Sequence, residues 1–158
     1  VIGTTNISGM DEAFLREGRF DAVVPMLHPD ADARREIINV HLNVVRQVPQ
    51  NISKAELEKL ARDLRWWKGN QIEQLIKNAV ALAFTEADQA KQSEGLVTFE
   101  HVEKAAHEFN MDITKEQESC RMFRDRATAL CNQRLLTELL VEKEDEPSLK
   151  KVGHTTVE

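Results

Sequence analysis

The sequence predicts a mostly α-helical fold in which two short strands come before a bundle of helices. Strand-like apolar runs are confined to the first 27 residues. From His28 onward, apolar residues recur every three or four positions, which is the spacing of one buried helix face. The chain has 158 residues, of which 41% are hydrophobic, and this suffices for one domain with appendages.

The two predicted strands are joined by a short helix between Asp11 and Gly18. The first run, residues 1–4, precedes polar residues and is typical of a buried strand that ends at the edge of a site. The second run, residues 22–27, contains Pro25, which has no backbone N–H and restricts this strand to an edge. Two strands alone do not form a stable sheet.

Three helices with clear start signals follow. Asp30 or Asp32 can cap the first, and Ser53 with Glu56 has the spacing of a capping box for the second. The third begins near Gly69 and has the clearest periodicity. Its inward positions are Ile72, Leu75, Ile76, Ala79, Val80, Ala83, Phe84 and Ala87. An apolar face of this length must be buried.

Two more helices complete the predicted bundle. Gly95 ends the third helix, residues 96–97 form a brief extended link, and Thr98 caps the fourth helix. The fifth helix is expected to run from about Thr114 to Leu140. Its apolar stripe consists of Phe123, Ala127, Leu130, Cys131, Leu135 and Leu139. Residues 142–158 show no period and are expected to be a disordered tail.

Composition excludes several classes of function. The formal net charge is −6, which disfavours nucleic-acid binding through bulk charge but leaves a local basic patch open. No run approaches the roughly 20 apolar residues of a membrane span. Cys120 and Cys131 would lie roughly 16 Å apart on one helix, which favours a reduced, intracellular protein. The five histidines lack ligand spacing with the cysteines, so no metal site is expected.

The first 21 residues carry the most informative chemistry. Asn6 is an amide at the end of a predicted strand, where it can orient a water molecule beside a phosphate. Arg16 and Arg19 can supply positive charge to phosphate oxygens, in their own subunit or in a neighbour. From the residue types alone, Asn6 can equally be a turn residue and the two arginines can be surface cations.

The order of these residues resembles the second half of the AAA-type ATPase module. In that family a strand ends in the sensor-1 asparagine, and a short helix and a Leu-Arg-x-Gly-Arg-Phe-Asp run follow. The matching positions here are Thr4, Thr5, Asn6, Asp11, Ala13, Phe14, Leu15, Arg16, Gly18, Arg19, Phe20 and Asp21. The resemblance implies that Asn6 positions the attacking water and that Arg16 and Arg19 are arginine fingers for the nucleotide of the adjacent subunit.

The helical part is similar to the lid that follows the core of AAA modules. The stretch HPDADARREII resembles the first lid helix, and the helix that opens with Gly69, Asn70, Gln71 and Ile72 is similar to the form in a filamentous-fungal AAA group. The resemblance implies that Gly69, Asn70 and Ile72 are nucleotide-binding residues. Gly69 is expected either to allow close approach of the backbone to the adenine or to act as the helix N-cap. The fungal group has arginine where this chain has Asn70, so the lid lacks that cation unless Lys68 reaches the nucleotide.

The resemblance also implies the domain organisation. The expected fold is a helical lid bundle preceded by a two-strand remnant of an α/β P-loop nucleoside triphosphatase core. Residues 1–27 are the remnant with sensor 1 and the arginine fingers, and residues 28–112 are the lid. Residues 113–141 form an extended C-terminal helix, and residues 142–158 form the tail.

The function implied by the resemblance is ATP binding and hydrolysis in a homo-oligomeric ring that remodels a protein or another macromolecule. ATP and Mg²⁺ would be the cofactors. A phosphate-binding loop and an acidic pair for Mg²⁺ are both required, and neither occurs in this sequence. Because the chain opens with Val1, we expect it to be the C-terminal portion of a longer ATPase and to be inactive alone.

Two alternatives remain at this stage. The Phe123-to-Leu139 stripe would also suit a non-catalytic helical module that docks in a groove on a partner. Trp66 and Trp67 would suit a base-stacking platform, although one of the two rings is expected to pack into the bundle.

Overall fold

The computed structural model describes residues 3–4, 23–91 and 95–130. The chain divides into two compact units. Among the described residues, one unit is Pro29–Met111, and the other contains residues 3–4, 23–28 and 112–130.

The Pro29–Met111 unit is a helical bundle with one small sheet. Its elements are α1 (Ala31–Asn39), a π-helix (Val40–Val45), β1 (Gln50–Asn51), α2 (Lys54–Asp63), α3 (Gly69–Gln89), β2 (Val97–Thr98) and α4 (Phe99–Glu108). The two strands are parallel, with Gln50 opposite Val97 and Asn51 opposite Thr98. The predicted mostly α-helical fold class is therefore confirmed.

The strands of this sheet are not the two strands that the sequence predicted. Residues 23–30 have no regular secondary structure, and neither have residues 3–4; the rest of the first predicted strand lies outside the described residues. A strand forms only where a second strand satisfies its backbone groups, and within the described chain none pairs with residues 23–27. Val97, predicted as an extended link, has such a partner and is fully buried.

Three predicted helix starts are confirmed. The Asp30 side chain accepts a hydrogen bond from the Ala33 N–H at 2.7 Å. Ser53 and Glu56 form the reciprocal capping box, in which the Ser53 N–H donates to Glu56 at 2.7 Å. Thr98 is the N-cap of α4. The side chains of Asp30 and Ser53 accept hydrogen bonds from N–H groups that have no partner inside the helix.

The core of this unit is built around α3. Its buried positions are Ile72, Leu75, Ile76, Ala79, Ala83 and Ala87, six of the eight predicted. Val80 is partly buried and Phe84 is exposed. The other buried core residues come from the remaining elements and from the loop between α2 and α3: Ile38, Leu42, Leu60, Leu64, Trp67, Val97, Val102 and Ala105.

Gly95 does not end α3, contrary to the sequence prediction. The helix ends at Gln89, and Lys91 turns the chain with a φ of 55°. Gly95 is buried, and a Cβ there would lie 3.0 Å from the Cα, N and Cγ atoms of Phe84. This distance is tighter than ordinary carbon–carbon contacts, so a side chain here would require Phe84 to shift, and the glycine allows the chain to approach α3 closely.

The second unit contains α5 (Ile113–Leu130), which starts one residue before the predicted start. Its predicted continuation to Leu140 lies outside the described residues, as does Cys131. Cys120 and Ala127 are buried on α5. The ring of Phe123 packs edge to face against the ring of His28, with the two ring centroids 6.2 Å apart. Among the helices that are described, none is both long and apolar enough to cross a membrane.

Candidate functional site

The predicted site residues fall into two groups. Asn6, Arg16 and Arg19 lie outside the described residues, so their roles stay predictions. Gly69, Asn70 and Ile72 all belong to the first turn of α3. The geometry of the candidate site can therefore be built from this turn.

Hydrogen bonds from both sides of Lys68 fix the start of α3. The Lys68 N–H donates to Oε1 of Gln71 at 2.7 Å, and the Lys68 carbonyl accepts the N–H groups of Gln71 and Ile72, each at 3.0 Å. Lys68 is the N-cap, and Gly69 is the first helical residue. The alternative that Gly69 is the N-cap is therefore wrong, because the Gln71 side chain caps the helix one residue earlier.

The three predicted residues of this turn face different surroundings. Ile72 is fully buried, Gly69 is half-buried and Asn70 is exposed. Within the described part of the chain, no hydrogen bond engages the backbone N–H of Gly69 or of Asn70. A ligand at this turn can thus be contacted by Gly69 and Asn70, while the Ile72 side chain anchors the turn in the core.

The packing around Gly69 would accommodate a Cβ atom. A Cβ built there would meet its nearest neighbour, Cδ1 of Ile37, at 3.8 Å, which is an ordinary van der Waals contact. The φ of Gly69 is not in the left-handed region that favours glycine. Neither packing nor backbone conformation within the described chain requires glycine at this position.

Arg34 on α1 is a positioning residue to which the sequence analysis assigned no role. Its side chain is buried; Nε donates to the Ala61 carbonyl at 2.7 Å, and Nη1 donates to the Pro29 carbonyl at 2.6 Å. These bonds tie the entry of α1 to the C-terminal half of α2. A cation four residues before Ile38, on the same helix face, was the signal that could have revealed it.

Two further pairs tie α4 to its neighbours. Lys59 Nζ lies 2.7 Å from Oε1 of Glu103, and this hydrogen bond is the main reason that the pKa of Lys59 is raised. His101 Nε2 lies 2.9 Å from Oε2 of Glu86, and this bond is the main reason that the pKa of Glu86 is lowered. Both pairs are partly exposed, so we assign them to the fold and not to catalysis.

The described residues contain no group of three or more histidine, cysteine, aspartate or glutamate side chains that could hold a metal ion. The first turn of α3 offers the exposed side-chain amide of Asn70 and the half-buried backbone of Gly69.

Sequence comparison places ATPases among the relatives of this chain, although no protein-family model matches it. The chain is 33% identical to the ATP-dependent zinc metalloprotease FtsH 3 of Petrotoga mobilis over 96 residues, which are 61% of this chain and 13% of that protein. It is 30% identical to the vesicle-fusing ATPase of Dictyostelium discoideum over 117 residues, which are 73% of this chain and 16% of that protein. The chain thus spans less than a fifth of the length of these relatives.

Structure comparison gives a match to the crystal structure of the FIGL-1 AAA domain. The TM-score is 0.59, and the match covers 78% of this chain and 41% of that chain. The sequence identity is 18%, so this likeness concerns the fold alone.

Proposed function

We propose, starting from the AAA ATPase family that these relatives support, that this chain is the C-terminal portion of an AAA-type ATPase module. It contributes to ATP binding and hydrolysis in a homo-oligomeric ring that remodels macromolecules. The match to the vesicle-fusing ATPase carries the proposal. That match covers 73% of the chain, which is more than the Pro29–Met111 unit alone contains, so it includes residues outside the lid.

In this proposal the N-terminal residues act on the phosphates. The Asn6 amide orients the attacking water, and the guanidinium groups of Arg16 and Arg19 offset the negative charge that develops on the transferred phosphoryl group. An arginine finger acts only on the nucleotide that is bound by the adjacent subunit. The proposal therefore includes assembly into a ring.

In the same proposal, residues of the lid contact the base of the nucleotide. The base approaches the backbone at Gly69, Asn70 supplies an exposed amide, and Ile72 anchors the turn in the core. Mg²⁺ supplies charge neutralisation at the phosphates when bound. Its ligands and the phosphate-binding loop are expected in another part of the parent ATPase, so this chain alone does not hydrolyse ATP.

Replacement of both fingers tests the proposal in the complete ATPase. Arg16→Ala with Arg19→Ala should lower the rate of ATP hydrolysis by about 10³-fold or more, because loss of a finger removes transition-state stabilisation. ATP affinity should remain within a few-fold, since the fingers act on a neighbour's nucleotide. Steady-state phosphate release and equilibrium ATP binding are the two measurements.

The matched control is Arg35→Ala. Arg35 is a partly exposed arginine of α1 that pairs with Asp32 at 2.9 Å and with Glu36 at 3.4 Å. Its replacement removes a cation without touching the proposed site, and hydrolysis should be unchanged. Unchanged turnover in the double finger variant would reject the assignment of Arg16 and Arg19.

A further inference from the structure

Three helices of the Pro29–Met111 unit begin with the same hydrogen bond but with different acceptors. In each, the backbone N–H of the residue before the helix donates to the side chain three positions later. The donor–acceptor pairs are Ser53 with Oε2 of Glu56 at 2.7 Å, Lys68 with Oε1 of Gln71 at 2.7 Å, and Thr98 with Nδ1 of His101 at 3.0 Å. A carboxylate, an amide and an imidazole therefore serve as the same cap.

The hydrogen bond from Thr98 fixes the protonation state of His101. A ring nitrogen that accepts an N–H must carry a lone pair, so the ring is neutral and its proton is on Nε2. That nitrogen lies 2.9 Å from Oε2 of Glu86 on α3 and donates to it. The His101 side chain is 13% exposed, so water does little to replace either bond. The neutral ring thus joins the start of α4 to α3.

Protonation of His101 breaks one of these two bonds and strengthens the other. The second proton goes to Nδ1, which then cannot accept the Thr98 N–H, whereas the Thr98 hydroxyl, at 2.8 Å, can accept the new N–H of the ring. The imidazolium is also a cation at a helix N-terminus, where the helix dipole disfavours it. At Nε2 the hydrogen bond to Glu86 becomes an ion pair. The proton therefore exchanges the cap of α4 for a stronger tie to α3.

The charged groups around the imidazole are compatible with this exchange. On α3, Glu86 has its second oxygen, Oε1, 3.6 Å from Nζ of Lys104 on α4. From α2, Lys59 pairs with Glu103 of α4 at 2.7 Å, and Glu100 beside the ring is exposed. Neither β1 nor β2 contains an ionisable side chain. Within the described chain, Glu86 is thus the acidic group that contacts the imidazole, and Lys104 keeps α4 joined to it in both protonation states.

We propose that His101 is a pH-sensitive cap, which releases the first turn of α4 when the ring takes up a proton in weakly acidic solution. In unstructured peptides an imidazole takes up a proton near about pH 6.5 and a glutamate near about pH 4.3, whereas an amide does not titrate. Hydrogen bonds with Ser53 lower the pKa of Glu56 further. The caps of α2 and α3 therefore persist where that of α4 is lost. Val102 and Ala105 are buried in the core and hold the rest of α4 in place.

Amide hydrogen exchange of the 158-residue chain at about pH 7.5 and about pH 5.5 tests the proposal. After correction for the intrinsic effect of pH on exchange, protection of the Thr98 amide should be about tenfold lower at the lower pH, because one hydrogen bond is lost. The amides of Ser53 and Lys68 belong to the other two caps, and their protection should stay the same. Equal protection of the Thr98 amide at both pH values would overturn the proposal, as would an equal loss at all three amides.

The variant His101→Gln removes the titrating group and keeps the cap. The glutamine oxygen can accept the Thr98 N–H, as Gln71 accepts that of Lys68, so the pH dependence of the Thr98 amide should disappear. The matched control is His107→Gln, at an exposed histidine in the last turn of α4, which should keep the wild-type dependence. A dependence that persists in His101→Gln, or that is lost in His107→Gln, would overturn the proposal.

The ring itself gives a second measurement, which needs no variant. The nitrogen chemical shifts of His101 should show the proton on Nε2 at about pH 7.5 and protons on both nitrogens at about pH 5.5. A proton on Nδ1 alone at the higher pH would overturn the proposal, because that nitrogen could not accept the Thr98 N–H. In Glu86→Gln the loss of Thr98 protection should move to lower pH, since the carboxylate that favours the imidazolium is gone. An unchanged midpoint in Glu86→Gln would contradict the exchange of the cap for the ion pair.

Discussion

Two glycines of the Pro29–Met111 unit differ in what surrounds them. At Gly95 a Cβ would lie 3.0 Å from backbone and ring atoms of Phe84. At Gly69 the nearest atom to a Cβ is Cδ1 of Ile37, at 3.8 Å. Both glycines lie along α3, Gly69 as its first residue and Gly95 against its later turns. The packing of the protein crowds a Cβ at Gly95 and accommodates one at Gly69.

This difference separates a packing region from a candidate binding region. At Gly95 the fold itself explains the absence of a side chain. At Gly69 the described chain gives no such reason, so a requirement for glycine there would have to come from a ligand or from a neighbouring molecule. The proposal that Gly69 contacts a nucleotide therefore predicts an effect of substitution on binding and not on stability.

The largest effect on stability is expected at the packing region. Gly95→Ala should lower the free energy of unfolding by about 1 to 3 kcal/mol, because the added methyl group overlaps atoms of Phe84 that cannot move without shifting α3. Chemical denaturation of the chain measures this change. The control is Leu96→Ala at the next position, which is 48% exposed and should change stability much less. Equal stability of Gly95→Ala and wild type would remove the contrast between the two glycines.

Gly69→Ala should leave stability largely unaffected and instead weaken ATP binding. Its stability should be unchanged or higher by no more than about 1 kcal/mol, because alanine costs less chain entropy than glycine and its Cβ fits the space. ATP affinity of the complete ATPase should fall several-fold, because the methyl group occupies the approach to the backbone. Retained ATP affinity in this variant would show that the base does not approach Gly69.

Local patterns predicted the bundle well. The caps at Asp30, Ser53 and Thr98 and the buried face of α3 follow from side-chain types and from helical spacing, which are properties of short segments. These signals need no knowledge of the distant chain. The mostly helical class could therefore be predicted from the sequence alone.

Features that depend on distant partners could not be predicted in this way. The pairing of β1 with β2 joins segments more than 40 residues apart, and the role of Gly95 depends on its approach to Phe84. The hydrogen bond from Arg34 to the Ala61 carbonyl likewise spans 27 residues. At the candidate site, the sequence correctly placed Gly69 at the start of a helix. It also predicted that Ile72 is buried, but it did not reveal that Lys68 and Gln71 form the cap.

The smallest effect on stability is expected at the polar contact between Glu86 of α3 and His101 of α4, which lies near Phe84 in the packing region. Glu86, two residues after Phe84, accepts a hydrogen bond from His101 Nε2 at 2.9 Å, while His101 Nδ1 accepts the Thr98 N–H at 3.0 Å. This bond is the largest cause of the lowered pKa of Glu86, and Lys104, at 3.6 Å, contributes less.

A carboxyl group whose pKa is lower in the folded state stabilises that state above its unfolded pKa, about 4.3 for glutamate, and this contribution is lost as the pH falls through the folded value. The difference in unfolding free energy between wild type and Glu86→Gln should therefore be present at pH 6 and shrink between pH 4.3 and pH 3. Urea denaturation at fixed ionic strength across this range measures it. A difference that stays constant down to pH 3 would show that the carboxylate charge of Glu86 does not help to hold α4 against α3.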